Sequence, residues 1–384
     1  MNKVRIGIIG LGNMGQFHAK YLAEGAVRRA ELAAVADTVP AQLAAFEGLK
    51  TFSRSEDLIR SGTVDAVLIA TPHPFHVSIG IDALEQGLHV LVEKPISVHK
   101  AEAEQLVAAH RNPAQVFAAM FNQRTDPHYK RIKRLIDAGD LGEIRRTHWV
   151  ITDWFRTEAY YASCGWRATW KGEGGGVLLN QCPHNLDLFQ WICGMPSRLR
   201  AFASLGKCHS IEVDDEVTAY LEYPNGATGV FIASTCEAPG TNRLEIAGDR
   251  GKLVLEDGRI SFTRTEVPVS QFLRECSELF GKPEVWNVEV PAEGVGGQHV
   301  EVTQNFVDAI LDGVPLIAPA EEGLHSIELA NAMIYSHFSG QMVELPLDSA
   351  AYERLLQNLI SKSTFQKKTT DRVVSSVDMS RSFH

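Results

Sequence analysis

Val4-Arg5-Ile6-Gly7-Ile8-Ile9-Gly10-Leu11-Gly12-Asn13-Met14-Gly15 decides the fold. An apolar run of strand length ends in Gly-x-Gly-x-x-Gly, and a helix-like segment begins at once. Gly10 suits a tight turn, Gly12 lets a pyrophosphate approach the backbone, and Gly15 lets helix and strand pack closely. The helix N-terminus, at Asn13 and Met14, then offers N–H groups and a positive dipole end to phosphates. A second apolar run ends in Ala36-Asp37, where a carboxylate is expected to accept the hydroxyls of an adenosine ribose. Asp37 followed by Thr38 rather than Arg favours NAD over NADP, because a 2′-phosphate would meet that carboxylate.

Outward from this point, apolar runs at 4–9, 32–36, 64–70, 90–92 and 116–120 alternate with amphipathic segments. That alternation is the signature of a doubly wound parallel sheet. After Asn122 the character changes to a basic helix over 126–138 and a strand over 144–152. Strand after strand follows from 199 to 262, with Asn-Gly and Asp-Gly turns at 225–226 and 257–258, so this sheet is expected to be mostly antiparallel. Helices are expected over 300–311 and 323–339. The division is a dinucleotide-binding domain over 1–123, an α/β domain for substrate and assembly over 124–361, and a polar tail over 362–384, flexible or exchanged as an arm.

Composition excludes several classes. The net charge of −10 argues against broad binding to nucleic acid or anionic lipid. The opening apolar run is far too short to span a membrane and lacks the marks of a signal peptide. Six scattered cysteines without a CxxC pair indicate neither a zinc site nor a disulfide scaffold. No metal is expected, and the compartment is expected to be cytoplasmic.

Three further places carry chemistry. The fourth and fifth strands run into Thr71-Pro72-His73 and Glu93-Lys94-Pro95, at the edge where such sheets bind ligands. Lys94 is either a fixed positive charge for a substrate oxygen or a surface lysine ending a strand. Thr71, Pro72, His76 and Glu93 are assigned to the cofactor, although His73 and His76 also suit loop capping. The second place is Gly174-Gly175-Gly176, expected to let a planar ligand lie on the backbone, followed by Asn180 and His184. These two are spaced to share one helical face, although Pro183 should kink or delay that helix. His184 is either a proton acceptor or a core histidine. The third is the aromatic and basic run Trp154, Arg156, Tyr160, Trp166 and Arg167, suited to a polyhydroxylated ring or to a subunit contact. Asn122 and Arg124 point toward the same cleft, Arg124 either holding substrate or pairing with a carboxylate.

Taken together, Gly10-x-Gly-x-x-Gly15, Glu93-Lys94-Pro95 and the GGGxxxNxxxHxxD run resemble the glucose–fructose oxidoreductase/inositol dehydrogenase family, Gfo/Idh/MocA. The resemblance runs from residue 4 to about 347, where Val343-Glu344-Leu345-Pro346-Leu347 looks like the closing segment. It implies a Rossmann domain, a second α/β domain with a large open sheet, a Lys-Pro peptide that is often cis, and a Lys and a His matching Lys94 and His184. It also implies a sugar or cyclitol substrate and a homodimer or homotetramer built by sheet packing. The family usually has Asp where this chain has Asn180, so the acid–base work falls on His184 and Lys94. That departure leaves room for a glycoside-processing enzyme with retained NAD. A dinucleotide-binding sensor without turnover is the reading from another class.

Overall fold

In the computed structural model, which describes residues 2–368, the opening run forms β1 (Val4–Ile9). It is joined by β2 (Ala30–Ala36), β3 (Lys50–Phe52), β4 (Ala66–Ile69), β5 (His89–Val92) and β6 (Phe117–Ala119) in one parallel sheet ordered β3-β2-β1-β4-β5-β6. Both faces are covered. Val67 and Ile69 pack with helix residues Leu58, Leu84 and Leu106 on one side. Ala66 and Leu68 pack with Leu22, Val302 and Phe306 on the other. Burial on both faces is why these strands read as unbroken apolar runs. The three-residue β3 is an edge strand with two exposed residues, too short and polar to be seen in the sequence.

The glycine loop behaves as its spacing requires. Gly10 has φ +92°. A Cβ on Gly15 would lie 1.8 Å from the Gly10 carbonyl oxygen, whereas one on Gly12 would meet nothing within 4 Å. Gly15 is fixed by packing, and Gly12 bares a backbone face to the ligand side.

The second sheet contains nine strands: β7 (Ile144–Ile151), β8 (Arg198–Leu205), β9 (Asp214–Glu222), β10 (Thr228–Ser234), β11 (Asn242–Gly248), β12 (Gly251–Glu256), β13 (Arg259–Thr265), β14 (Val285–Val290) and β15 (Val343–Glu344). Their order is β14-β13-β12-β11-β7-β10-β9-β8-β15. The sheet is mixed rather than purely antiparallel, because β7 pairs parallel to β10. In β9, Val217, Ala219 and Leu221 are buried under the helices while Thr218 and Tyr220 face outward. The alternation is regular there, and Val230 and Ile232 of β10 stand on the same outer face, beside Tyr220 and Thr218.

Two features were not legible in the linear spacing. The helix Gln298–Asp312 belongs by sequence to the second unit, yet it places Val302, Phe306 and Val307 in the core of the parallel sheet. Cys208 and Cys236 follow β8 and β10, the two strands flanking β9, and they are joined as a disulfide. Scatter along the chain therefore concealed a pair. Cys208, Asp215 and Cys236 are also the one cluster of three potential metal ligands among the described residues, and the disulfide uses both sulfurs.

Arg124, which follows β6, ties the end of the first sheet to the helix carrying Asp187 and to the segment at 317–322. Its guanidinium donates to both carboxylate oxygens of Asp187 at 2.7 and 2.6 Å, to the carbonyl of Ile317 at 3.2 Å, and to Glu322. Arg124 and Asp187 are both 1% or less exposed. Of the two roles open to it, carboxylate pairing is the one the structure shows, and no substrate contact remains for it. Removing one partner would leave a buried charge without compensation, so Arg124→Met is expected to cost about 3–5 kcal/mol of stability. Urea unfolding measures this; a loss below about 1 kcal/mol would mean that the pair behaves like a surface one.

Candidate active site

The carboxyl ends of β1, β2 and β4 border a cavity of about 660 Å³ lined by Gly10, Gly12, Asp37, Thr38, Thr71 and Pro72. Asp37 is held in place by two backbone donors, Leu11 N–H at 2.6 Å and Val39 N–H at 2.7 Å. Asn13 and Met14 begin the helix Asn13–Ala23 directly after Gly12. Thr71 Oγ1 is buried without a protein partner. An open glycine face, an oriented carboxylate and an unpartnered hydroxyl fit a dinucleotide. His76 is placed differently from the expectation. Both its ring nitrogens meet backbone carbonyls, Pro95 and Thr71, each at 2.8 Å. It clamps the loop that carries the cis Lys94–Pro95 peptide and offers no nitrogen to a cofactor.

Glu93 points inward. Its carboxylate meets His18 Nε2 at 2.7 Å and accepts the Lys94 N–H at 3.2 Å. Burial would raise its pKa, but the hydrogen bond and charge of His18, with His299 and Lys94, outweigh burial and hold it at about 2. Lys94 reaches across to the second domain, where its Nζ donates to the carbonyl of Asn180 at 3.2 Å. Burial lowers the Lys94 ammonium pKa, and the charges of Glu93 and Glu173 oppose that. His184 is pushed well below the usual histidine value by burial and by Lys94, so it is neutral, and its Nδ1 is buried without a partner.

Asn180 and His184 do not share a helix. The helix Val177–Asn180 stops, and Pro183 opens the next one, Pro183–Cys193. Pro183 has no N–H to donate to Leu179, so the chain restarts with proline at a first-turn position. The three glycines also serve another purpose than expected. A Cβ on Gly174 would lie 2.0 Å from Val98 Cγ1, and one on Gly176 would lie 1.9 Å from the Asp214 carbonyl oxygen. They let the backbone pack against protein, and the Asp214 carboxylate then accepts the N–H groups of Gly176 and Leu178.

The aromatic run converges on Tyr160. The guanidinium of Arg167 lies 4.2 Å from the Tyr160 ring centroid and that of Arg156 lies 5.0 Å away. Trp166 packs edge-on to His73, and Trp154 donates to Asn185 at 3.2 Å. The Tyr160 hydroxyl donates to Asn180 Oδ1 at 2.8 Å. Asn122 is buried and donates to Gln298 rather than standing open in the cleft. Lys367 donates to the Arg167 carbonyl, so the first part of the polar tail lies against this run; the rest of the tail, from 369, falls outside the described residues. Sequence reading missed Glu173, Gln181 and His18. Glu173 carried one signal, a carboxylate set directly between Gly172 and the glycine run.

Residues 4–121 match the family described as "Oxidoreductase family, NAD-binding Rossmann fold", and residues 129–254 match "GFO/IDH/MocA C-terminal domain". The chain belongs to the GFO/IDH/MocA family. It is 32% identical over 245 residues to the rhizopine catabolism protein MocA of Rhizobium meliloti, covering 62% of this chain and 74% of that one. It is 26% identical to a levoglucosan dehydrogenase of Pseudarthrobacter phenanthrenivorans, over 91% of this chain and all of the other. Among solved structures, the WlbA dehydrogenase of Bordetella pertussis, in complex with NADH and UDP-GlcNAcA, is similar with a TM-score of 0.75 and 25% identity. That match covers 90% of this chain and 100% of WlbA. This family member is accordingly an NAD-binding oxidoreductase. No helix among the described residues is long and apolar enough to cross a membrane.

The depressed pKa of Glu93 has a consequence with a definite sign. A carboxyl held at about 2 against an ordinary 4.5 stabilises the fold at pH values above 4.5 and loses that contribution as pH falls toward 2. The stability gap between the native chain and Glu93→Gln should therefore be full at about pH 7 and shrink below about pH 4.5. Urea unfolding across that range checks it; a gap that widens with acid would contradict the ion pair.

Proposed function

We propose that this oxidoreductase removes hydride from a secondary hydroxyl of a sugar, a sugar derivative or a cyclitol, with NAD as acceptor. The observation that carries the reading is the meeting of Lys94, from the nucleotide sheet, with Asn180, from the second domain, through a 3.2 Å hydrogen bond. His184 lies within the field of Lys94, which together with burial disfavours its charged form. When bound, the nicotinamide supplies the hydride acceptor. Lys94 donates to the substrate oxygen and stabilises the developing alkoxide, and a ring nitrogen of His184 takes up the hydroxyl proton. Tyr160, Trp154, Trp166, Arg156 and Arg167 provide stacking faces and donors at the rim, which suits a ring bearing several hydroxyls. Levoglucosan dehydrogenase, named for an anhydrosugar, and WlbA, solved with a nucleotide sugar, support that substrate class.

Screening sugars, uronates and inositols for NADH formation tests the reading. Lys94→Ala and His184→Ala should each lower turnover by about 10²-fold or more with NAD affinity near that of the native chain. NAD should bind at least about tenfold tighter than NADP because of Asp37. Aglycone release without net NADH would shift the reading to glycoside processing with retained NAD, and binding without turnover on any substrate would make the chain a sensor.

A second copy of the chain is proposed as the partner of the open sheet. Phe202, 62% exposed, stands in register with Thr218 and Ile232, beside a row formed by Arg200, Tyr220 and Val230. An apolar face of this kind is uncommon on a monomer. Light scattering should give a multiple of 42.3 kDa, and Phe202→Glu should move the mass toward a single chain.

A further inference from the structure

Position 180 is an amide, and a buried carboxylate lies against it. Glu173, the residue before the triglycine, is 1% exposed. Its Oε2 accepts the Ala168 N–H at 2.6 Å, and its Oε1 accepts the side-chain amide of Asn180. Asn180 turns Nδ2 toward Glu173 and Oδ1 away from it, the orientation that suits a carboxylate acting as acceptor. Oδ1 then accepts the Tyr160 hydroxyl at 2.8 Å and Gln181 Nε2 at 2.9 Å. The backbone oxygen of Asn180 receives Lys94 at 3.2 Å. A directed chain runs from the acid through the amide to the phenol that sits between the two arginines. Glu173 forms no ion pair within 4.0 Å among the described residues; burial raises its pKa, while Arg167, the hydrogen bonds from Ala168 and Asn180, and Lys367 oppose that rise, and its charge in turn opposes the loss of the Lys94 proton. A buried acid spent only on neutral N–H groups would be a costly choice.

We propose that Glu173 is the positioning carboxylate of this site: from beside the triglycine it orients Asn180, and through it Tyr160 and the Asn180 carbonyl that receives Lys94. The inference rests on the dehydrogenase reading for its effect on turnover, but its effect on Lys94 can be measured without turnover.

The test is a reciprocal swap. Glu173→Gln offers one acceptor oxygen where two N–H groups converge, and it removes the counter-charge. Turnover should fall about tenfold or more at unchanged NAD affinity. The ionisation of Lys94, followed as the pH dependence of its acylation by mass spectrometry, should move to lower pH. Asn180→Asp alone presses two carboxyl groups together; they share a proton, and the pH–rate profile gains a new limb. In the double variant Glu173→Gln/Asn180→Asp, the amide now at position 173 accepts from Ala168 and donates to the new carboxylate. Turnover should return to within about threefold of the native chain, and the Lys94 ionisation should return with it. A merely structural Glu173 would change melting temperature without moving Lys94. Native turnover and native Lys94 ionisation in Glu173→Gln would overturn the proposal, as would a double variant no better than either single one. If Glu173→Gln fails to fold, Asn180→Asp and the double variant decide it by the same two readouts. Absence of NADH from every alcohol would overturn the dehydrogenase reading alone, because the Lys94 titration still stands.

Discussion

A lysine ammonium taken out of water loses hydration that only fixed charges and dipoles can replace. Lys94 is in that position, and the arrangement of the cleft follows from it. Its Nζ finds the carbonyl of Asn180 in the other domain, and two carboxylates, Glu93 and Glu173, oppose the loss of its proton. The first comes from the same strand end and the second from the loop before the triglycine. The Asn180 carbonyl and Glu173 both come from the second domain, so part of this compensation exists only where the two domains meet.

The docking is secured away from the chemistry. Arg124 and Asp187 form a buried bidentate pair joining the end of the first sheet to the helix that begins at Pro183, and Glu322 and Ile317 add a returning segment of chain. The same helix carries His184, so its placement depends on a pair that touches no ligand. His76 works similarly on the other side, tying the Thr71 and Pro95 loops together. Small changes at either anchor would displace Lys94 and His184 relative to each other, the kind of misplacement to which proton and hydride transfer are sensitive.

Glycine has two different uses in this chain. Near the N-terminus, Gly12 leaves open space for a ligand, whereas Gly15 removes a clash with Gly10. In the triglycine, Gly174 and Gly176 remove clashes with Val98 and Asp214. The two motifs look alike in sequence, but one shapes a ligand surface and the other permits core packing. A glycine run announces close approach without saying what approaches.

What the sequence determined alone are the features encoded by neighbours along the chain. These are the parallel sheet from its apolar runs, the dinucleotide loop from its glycine spacing, Asp37 at the end of β2, and the hairpins from their Asn-Gly and Asp-Gly turns. Lys94 and His184 stood out as candidates because short motifs surround them. Tertiary structure decided everything that depends on residues far apart meeting. It gave Arg124 to Asp187, joined Cys208 to Cys236 across β9, and returned the helix Gln298–Asp312 to the first core. It also set Glu173 against Asn180. Local propensity reaches only a few residues along the backbone, whereas a buried charge is compensated by whatever the packing of distant elements brings within hydrogen-bonding distance.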